Sequence, residues 1–351
     1  MVGQRFHNLD ALRGLCALTV VLFHCEGLFD KGEIFSHGFL AVDMFFVLSG
    51  FVIAHGYEAR LGGGLSTGRF TWLRLKRLAP VYWVGTLLGA VMLATIAAYR
   101  PAGAFYAPGQ IAGLSVMALA LIPQLTLGGL AYPANPVAWS LLGELAANVA
   151  YARQLHALSS RALLGIAVAG WGVCAVIGYA GDLGWCFGAN ASDVLTAPLR
   201  AIPSFLVGVV LFRAHRTGRL ARLPAVTPLL PLIVWVVIAE VPTFGPTPTF
   251  DLIVATLVCP ALVALAVRAP QTAPRPLIWL GAISYPLYAS HLSLVFLARN
   301  TPLFGFDRGP DPLKAALLVA AAIGLAWIIH VAVERRPAGA AARPAASVAP
   351  G

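Results

Sequence analysis

Apolar residues along this chain come in long blocks, and the charged residues collect in the short stretches between them. Blocks of roughly the 17–25 residues that cross a hydrocarbon core fall at 9–28, 37–57, 80–99, 162–180, 193–212, 224–241, 250–267, 277–298 and 313–333. Two shorter blocks, 111–128 and 137–152, lie between the third and the fourth. Each block predicts a helix, because a helix satisfies its backbone polar groups within one segment.

Charge sorts the connections. Basic clusters at 58–79 (Arg60, Arg69, Arg74, Lys76, Arg77), 213–223 (Arg213, Arg216, Arg219, Arg222) and 268–275 (Arg268, Arg275), with Arg335 and Arg336 after the last block, belong to the cytoplasm by the positive-inside rule. An even number of crossings must then separate 58–79 from 213–223. Blocks 80–99, 162–180 and 193–212 supply three, so 111–152 must supply one more. Its other half is re-entrant or enclosed by protein, and Gly128, Gly129, Pro133 and Pro136 suit such a break. The expected fold is all-α: about ten transmembrane helices plus one broken or re-entrant segment around a central polar cavity. Both termini are expected in the cytoplasm, with residues 1–336 as one membrane domain and 337–351 as a disordered Ala/Pro-rich tail.

Composition agrees. The chain has 351 residues, of which 59% are hydrophobic and 11% charged. That charged share is about half the soluble norm. The net charge of +10 sits in the loops, without the aromatic–basic platform of a nucleic-acid binder, so no nucleic-acid partner is expected. Five scattered cysteines with no C-x-x-C pair read as apolar packing residues, with a Cys25–Cys186 disulfide as the alternative. The first block is read as a retained span. Arg13 and His24 interrupt its apolar core, and no small-x-small cleavage site follows.

Ionisable residues inside these blocks are the candidate chemistry, because a charge in hydrocarbon costs at least a few kcal/mol. Arg13 and His24 are eleven residues apart, so they share one helix face about 16 Å apart, and Asp10 joins them. Snorkelling to opposite headgroup layers is the plainer explanation. In "AVDMFFVLSGFVIAHGY", Asp43, Phe46 and Gly50 form a stripe with Ser49 beside it, and Asp43 is expected to pair with His24. Gly50 also suits close helix packing. In "RLKRLAPVYW", Arg74, Lys76 and Arg77 form either a topology signal or a phosphate site. "NPVAWSLLGELAANVAY" aligns Ser140, Glu144, Asn148 and Tyr151 on one face. Arg200 lies within "PLRAIPSFLVG", and "SYPLYASH" aligns Ser284, Tyr288 and His291. Glu144, Arg200 and Asp43 are expected to line one cavity with His24, as mutual counter-charges.

Arg13 with His24, "FFVLSGF", "RLKR…PVYW", "WSLLGE", "RAIPSFLVG" and "SYPLYASH" occur in the order found in acyltransferase family 3, which the chain resembles from Leu9 to about Glu334. The resemblance implies a membrane O-acyltransferase. Such an enzyme moves an acyl group, usually acetyl, from cytoplasmic acyl-CoA to a hydroxyl of an envelope glycan or small metabolite. It also implies that Arg13 and His24 are essential and that Arg74, Arg77 and Glu144 are important. The chain departs from many members after Glu144, where Leu145, Ala146, Ala147 and Asn148 follow. No esterase-like domain follows the last block, so the membrane domain is expected to handle the acceptor alone.

The mechanism expected from these residues has the arginine cluster hold the donor phosphates, with His24 as general base oriented by Asp43 or Glu144. Arg200, Ser140 or Tyr288 would serve the oxyanion. Lys76 and His291 complete the expected donor and substrate contacts, and His291 is the next candidate base. Direct acylation of His24 is a second route. Acyl-CoA, a hydroxyl acceptor and membrane lipids are the expected partners, with no metal and no permanently bound cofactor. The expected location is a bacterial inner membrane. A transporter or flippase for a lipid-linked or anionic solute is the alternative class.

Overall fold

A computed structural model describes residues 5–29, 34–100, 105–180, 185, 187–242 and 248–334. Cys186, Arg335, Arg336 and the 337–351 tail lie outside the described residues.

Among the described residues the fold is helical throughout, with one isolated antiparallel bridge, Leu130 to Asn190. The helices are α1 (His7–His24), α2 (Ala41–Gly62), α3 (Thr67–Tyr99), α4 (Pro108–Leu119), α5 (Ala138–Arg153), α6 (Ser160–Ala180) and α7 (Ala197–Arg216). Then come α8 (Leu230–Ala239) and α9 (Pro248–Ile253), which runs through a π-turn into α10 (Cys259–Arg268). Last are α11 (Arg275–Ala282), α12 (Ser284–Asn300) and α13 (Pro312–Ile329). Every apolar block of the sequence therefore contains a helix, although in 111–128 the helix stops at Leu119.

Two expectations change. The basic stretch 58–79 is not a loop: α2 continues to Gly62, and α3 begins at Thr67, where the Ser66 hydroxyl accepts from the Arg69 N–H. Arg, Lys and Leu are good helix formers and nothing between Arg69 and Pro80 interrupts them. The count of ten spans is also not reached by length and apolarity alone. Six helices qualify, and the α11–α12 pair, bent by 69°, makes a seventh if taken as one span. Helices α4 and α8 are apolar but shorter, while α1 and α5 do not meet the same measure. In these two helices Asn8, Thr19, Ser140 and Asn148 are buried and Asp10, Arg13, His24 and Glu144 half-buried, and these polar residues lower the hydropathy.

The 111–152 region divides as its glycines and prolines suggest. At ~1.5 Å per residue α4 is about 18 Å long, well short of the ~30 Å hydrocarbon core. The chain after it doubles back through 120–137 around the buried Gln124. That amide donates to the Gly128 and Leu130 carbonyls (2.8 and 2.6 Å) and accepts from the Leu127 N–H (3.0 Å). Gly128 and Gly129 both take positive φ there, +69° and +60°.

Burial separates centre from rim. In α2, 72% of the apolar window is inside the protein, against 28% in α6 and 22% in α13, so those two present their apolar faces outward. Helix α2 packs on α7 through glycines. A Cβ on Gly50 would lie 1.9 Å from the Phe205 carbonyl, and one on Gly208 would lie 2.0 Å from the Val47 carbonyl. Helices α1 and α11 meet equally closely, with a Cβ on Gly281 falling 2.0 Å from the Asp10 carbonyl. Cys16, Cys25, Cys174 and Cys259 are buried, as packing residues should be. The alternative pairing of Cys25 falls on Cys186, outside the described residues.

Candidate active site

The break between α11 and α12 sets the first helix in place. With no helical continuation at Ile283, the Gly281 carbonyl is free to accept from Arg13 Nη2 (2.9 Å), Arg13 Nε (3.2 Å) and the Ser284 hydroxyl (2.9 Å). Arg13 Nε also reaches Ser284 Oγ (3.0 Å), and Nη2 reaches Asp10 Oδ1 (2.9 Å). Arg13 is thus a clamp on the bent pair, not a snorkelling residue.

Beside it opens a cavity of about 470 Å³ between α1, α2, α3, α5 and the α11–α12 bend. Arg5, His55, Arg77 and Glu334 stand at one end, and Phe45, Ser140 and Tyr288 at the other. Glu144 lies on its wall, accepting at Oε1 from Ser49 Oγ (2.9 Å) and Arg74 Nη2 (3.2 Å). Arg74 is 4% exposed, and its Nε and Nη1 find no partner among the described residues. Buried donors without acceptors are costly and therefore rare. At the far end the Ser140 hydroxyl donates to the Val137 carbonyl, so the 2.8 Å contact to Tyr288 has the phenol donating.

Several expected placements are corrected. Asp43 does not pair with His24. It holds Arg200 in a two-pronged pair, Oδ2 to Nη2 at 2.7 Å and Oδ1 to Nε at 3.2 Å, and it also accepts from Trp185 Nε1. Arg200 lies over the Trp139 and Phe187 rings. Both partners are buried and neither is on the cavity wall, because α2 turns Asp43 toward α7. Glu144 is on the wall but orients Arg74 and Ser49, not His24. Lys76 is exposed and off the wall, since two residues past Arg74 is the opposite side of a helix, whereas Arg77 returns to it. The α5 stripe also divides: the Tyr151 hydroxyl donates to Glu58, within a separate cluster with Arg213 and Arg216.

His24 is not on the cavity wall either. Its Nδ1 lies 3.1 Å from His291 Nε2, and Tyr288, one turn from His291, is the nearest cavity residue on α12. The Tyr288 ring packs edge-on against Phe45 (5.7 Å between centroids) and 6.1 Å from the His291 ring. Tyr288 therefore links the cavity to the histidine pair, with Phe45 of the cavity wall packed on its ring. That ring-to-ring contact had no sequence precursor, because 267 residues separate the two histidines. Ser49 was marked in the sequence beside the α2 stripe, and Phe45, one turn before it, could have been found by the same helical period.

Residues 6–331 match an acyltransferase domain, that of acyltransferase family 3. The chain belongs to this acyltransferase family. A protein of Rhizobium radiobacter, "Protein 2 in picA locus", is 38% identical over 160 residues, a stretch of 43% of this chain and 82% of that protein. No solved structure matches the chain. The acyltransferase match embraces α1 through α13, so Arg13, Arg74, Arg77, the histidine pair and all of the cavity lining except Arg5 and Glu334 lie inside the family domain.

Proposed function

We propose that the protein moves an acyl group, most simply acetyl, from cytoplasmic acyl-CoA to a hydroxyl of an envelope glycan or small metabolite. The observation that supports this reading best is Arg74. It is a buried guanidinium on the cavity wall, with two donors unfilled among the described residues and Arg77 and Arg13 on the same wall. Planar, forked donors of this kind suit the phosphates of a nucleotide. The pantetheine arm would run along the cavity toward Tyr288, and the thioester would reach His24 once Tyr288 and Phe45 swing aside.

In the proposed step the acceptor oxygen attacks the thioester carbon while His24 takes its proton, a contribution of ~10²–10⁴-fold. The oxyanion accepts from the Tyr288 phenol, whose one hydrogen leaves Ser140 as the ring swings aside. The C–S bond then breaks, and the departing thiolate takes the proton from His24, leaving the acyl ester and CoA. The topology that serves this chemistry is ten spans, in which α1 and α5 cross, α8 crosses only together with the non-helical residues 223–229 and 240–242 that extend it, and α4 with 120–137 is the broken piece. Both ends are then cytoplasmic, in a bacterial inner membrane.

The double variant Arg74→Ala, Arg77→Ala is the test. Purified in liposomes, it is expected to raise the acetyl-CoA KM by tenfold or so with a smaller change in kcat, as loss of ground-state binding does. An unchanged KM returns the cluster to topology. Mass spectrometry of envelope glycans and metabolites from cells with and without the protein would show the acceptor as an acetyl-sized difference.

A further inference from the structure

Which nitrogen of His24 is free to react is decided by its neighbours. His291 Nδ1 faces the carbonyl oxygens of Leu287 and Tyr288 at 3.1 and 2.9 Å. A carbonyl only accepts, so this nitrogen carries the hydrogen, and Nε2 of the neutral ring carries a lone pair. His24 Nδ1 lies 2.9 Å from the Val20 carbonyl, so it too carries a hydrogen. The 3.1 Å contact between the rings then has one consistent assignment: His24 Nδ1–H donates, shared between Val20 O and His291 Nε2. Of the four ring nitrogens, only His24 Nε2 makes no hydrogen bond among the described residues, and it is not sealed from a reacting partner.

We propose that His291 is a positioning residue that accepts from His24 Nδ1–H and so leaves Nε2 as the nitrogen that takes the acceptor's proton. This rests on the reading of His24 as the base. When that proton arrives, His24 becomes an imidazolium and its bond to His291 becomes charge-assisted, which stabilises the charge where it forms. A neutral ring does this without a permanent anion in the membrane interior, where an unpaired carboxylate is costly. His291 stabilises the charge on His24 and is not a relay for the proton, because its own Nδ1–H ends on backbone carbonyls. The same commitments keep its lone pair from serving as an independent base. His291 therefore acts through His24 and does not bind the donor.

The test compares His291→Leu, which removes the acceptor, with His291→Gln, whose amide oxygen can accept from His24. Both are assayed in liposomes with radiolabelled acetyl-CoA and an envelope glycan extract from cells lacking the protein. His291→Leu is expected to lower kcat about 100-fold with the acetyl-CoA KM changed no more than about twofold, and His291→Gln to recover about tenfold of that loss. Equal losses in the two variants, or a loss expressed in KM, would overturn the proposal. If His24→Gln is inactive while His291→Leu matches wild type, this inference alone falls. If His24→Gln is active, the base assignment falls with it. Nitrogen-15 shifts of the wild-type histidines in lipid give a measure independent of variant folding. Both rings are expected with Nδ1 protonated and Nε2 bare, and a protonated Nε2 on either ring overturns the assignment.

Discussion

Arg13 turns its Nε and Nη2 hydrogens on Asp10, Gly281 O and Ser284, while its Nη1 makes no hydrogen bond among the described residues. Arg13→Lys keeps the charge but replaces the fork with a point donor. It is expected to lose most activity with part of the stability, read as turnover and unfolding temperature together. His24→Gln keeps size and hydrogen bonding but has no titratable nitrogen near neutral pH. Its expected result is a folded protein that binds acyl-CoA and transfers ~10²–10⁴-fold more slowly. Asp43→Ala tests the opposite assignment. Removing one member of a buried pair costs about 3–5 kcal/mol, because the other charge stays buried. The variant should unfold at a lower temperature, while its folded fraction keeps the wild-type acetyl-CoA KM. A changed KM with unchanged stability would put Asp43 back in the chemistry.

At the scale of elements, glycines decide how near the helices come. Gly50→Ala would drive a methyl into the Phe205 carbonyl at 1.9 Å, which is backbone and cannot rotate away. Overpacking of this kind costs roughly 1–3 kcal/mol or more. The loss should appear as a lower unfolding temperature, with Gly56→Ala, where nothing lies within 4 Å, as the neutral control. A Gly50→Ala protein as stable as wild type would show that α2 and α7 can separate freely. Gly50 was readable as a packing glycine in the sequence, but its partner Phe205 was not, since nothing local records which helix lies opposite.

For the whole molecule, charge parity makes the sharpest demand. Reporters fused after Arg222 and after Arg336 are expected on the same, cytoplasmic side. Opposite sides would remove the parity argument and with it the proposed ten spans. The helices that a hydropathy count passes over, α1 and α5, carry Arg13, His24, Ser140 and Glu144, so the same residues that lower the count supply the candidate site.

Hydrophobic periodicity and charge placement, both local properties, were enough for the helical class, a helix in each apolar block and the broken 111–152 segment, while the family was legible in the order of six short motifs. They also marked Arg13, Arg74, Arg77, Glu144, Ser140 and Tyr288, because a polar residue within an apolar run stands out whatever surrounds it. Partnership is different. Asp43 chose Arg200 across 157 residues, and His24 chose His291 across 267. Those choices depend on which helices lie side by side and how each is rotated, and both are set by glycine contacts and a 69° bend that act between distant segments. A helix face can be read from spacing, but what it faces is a property of the packed bundle alone.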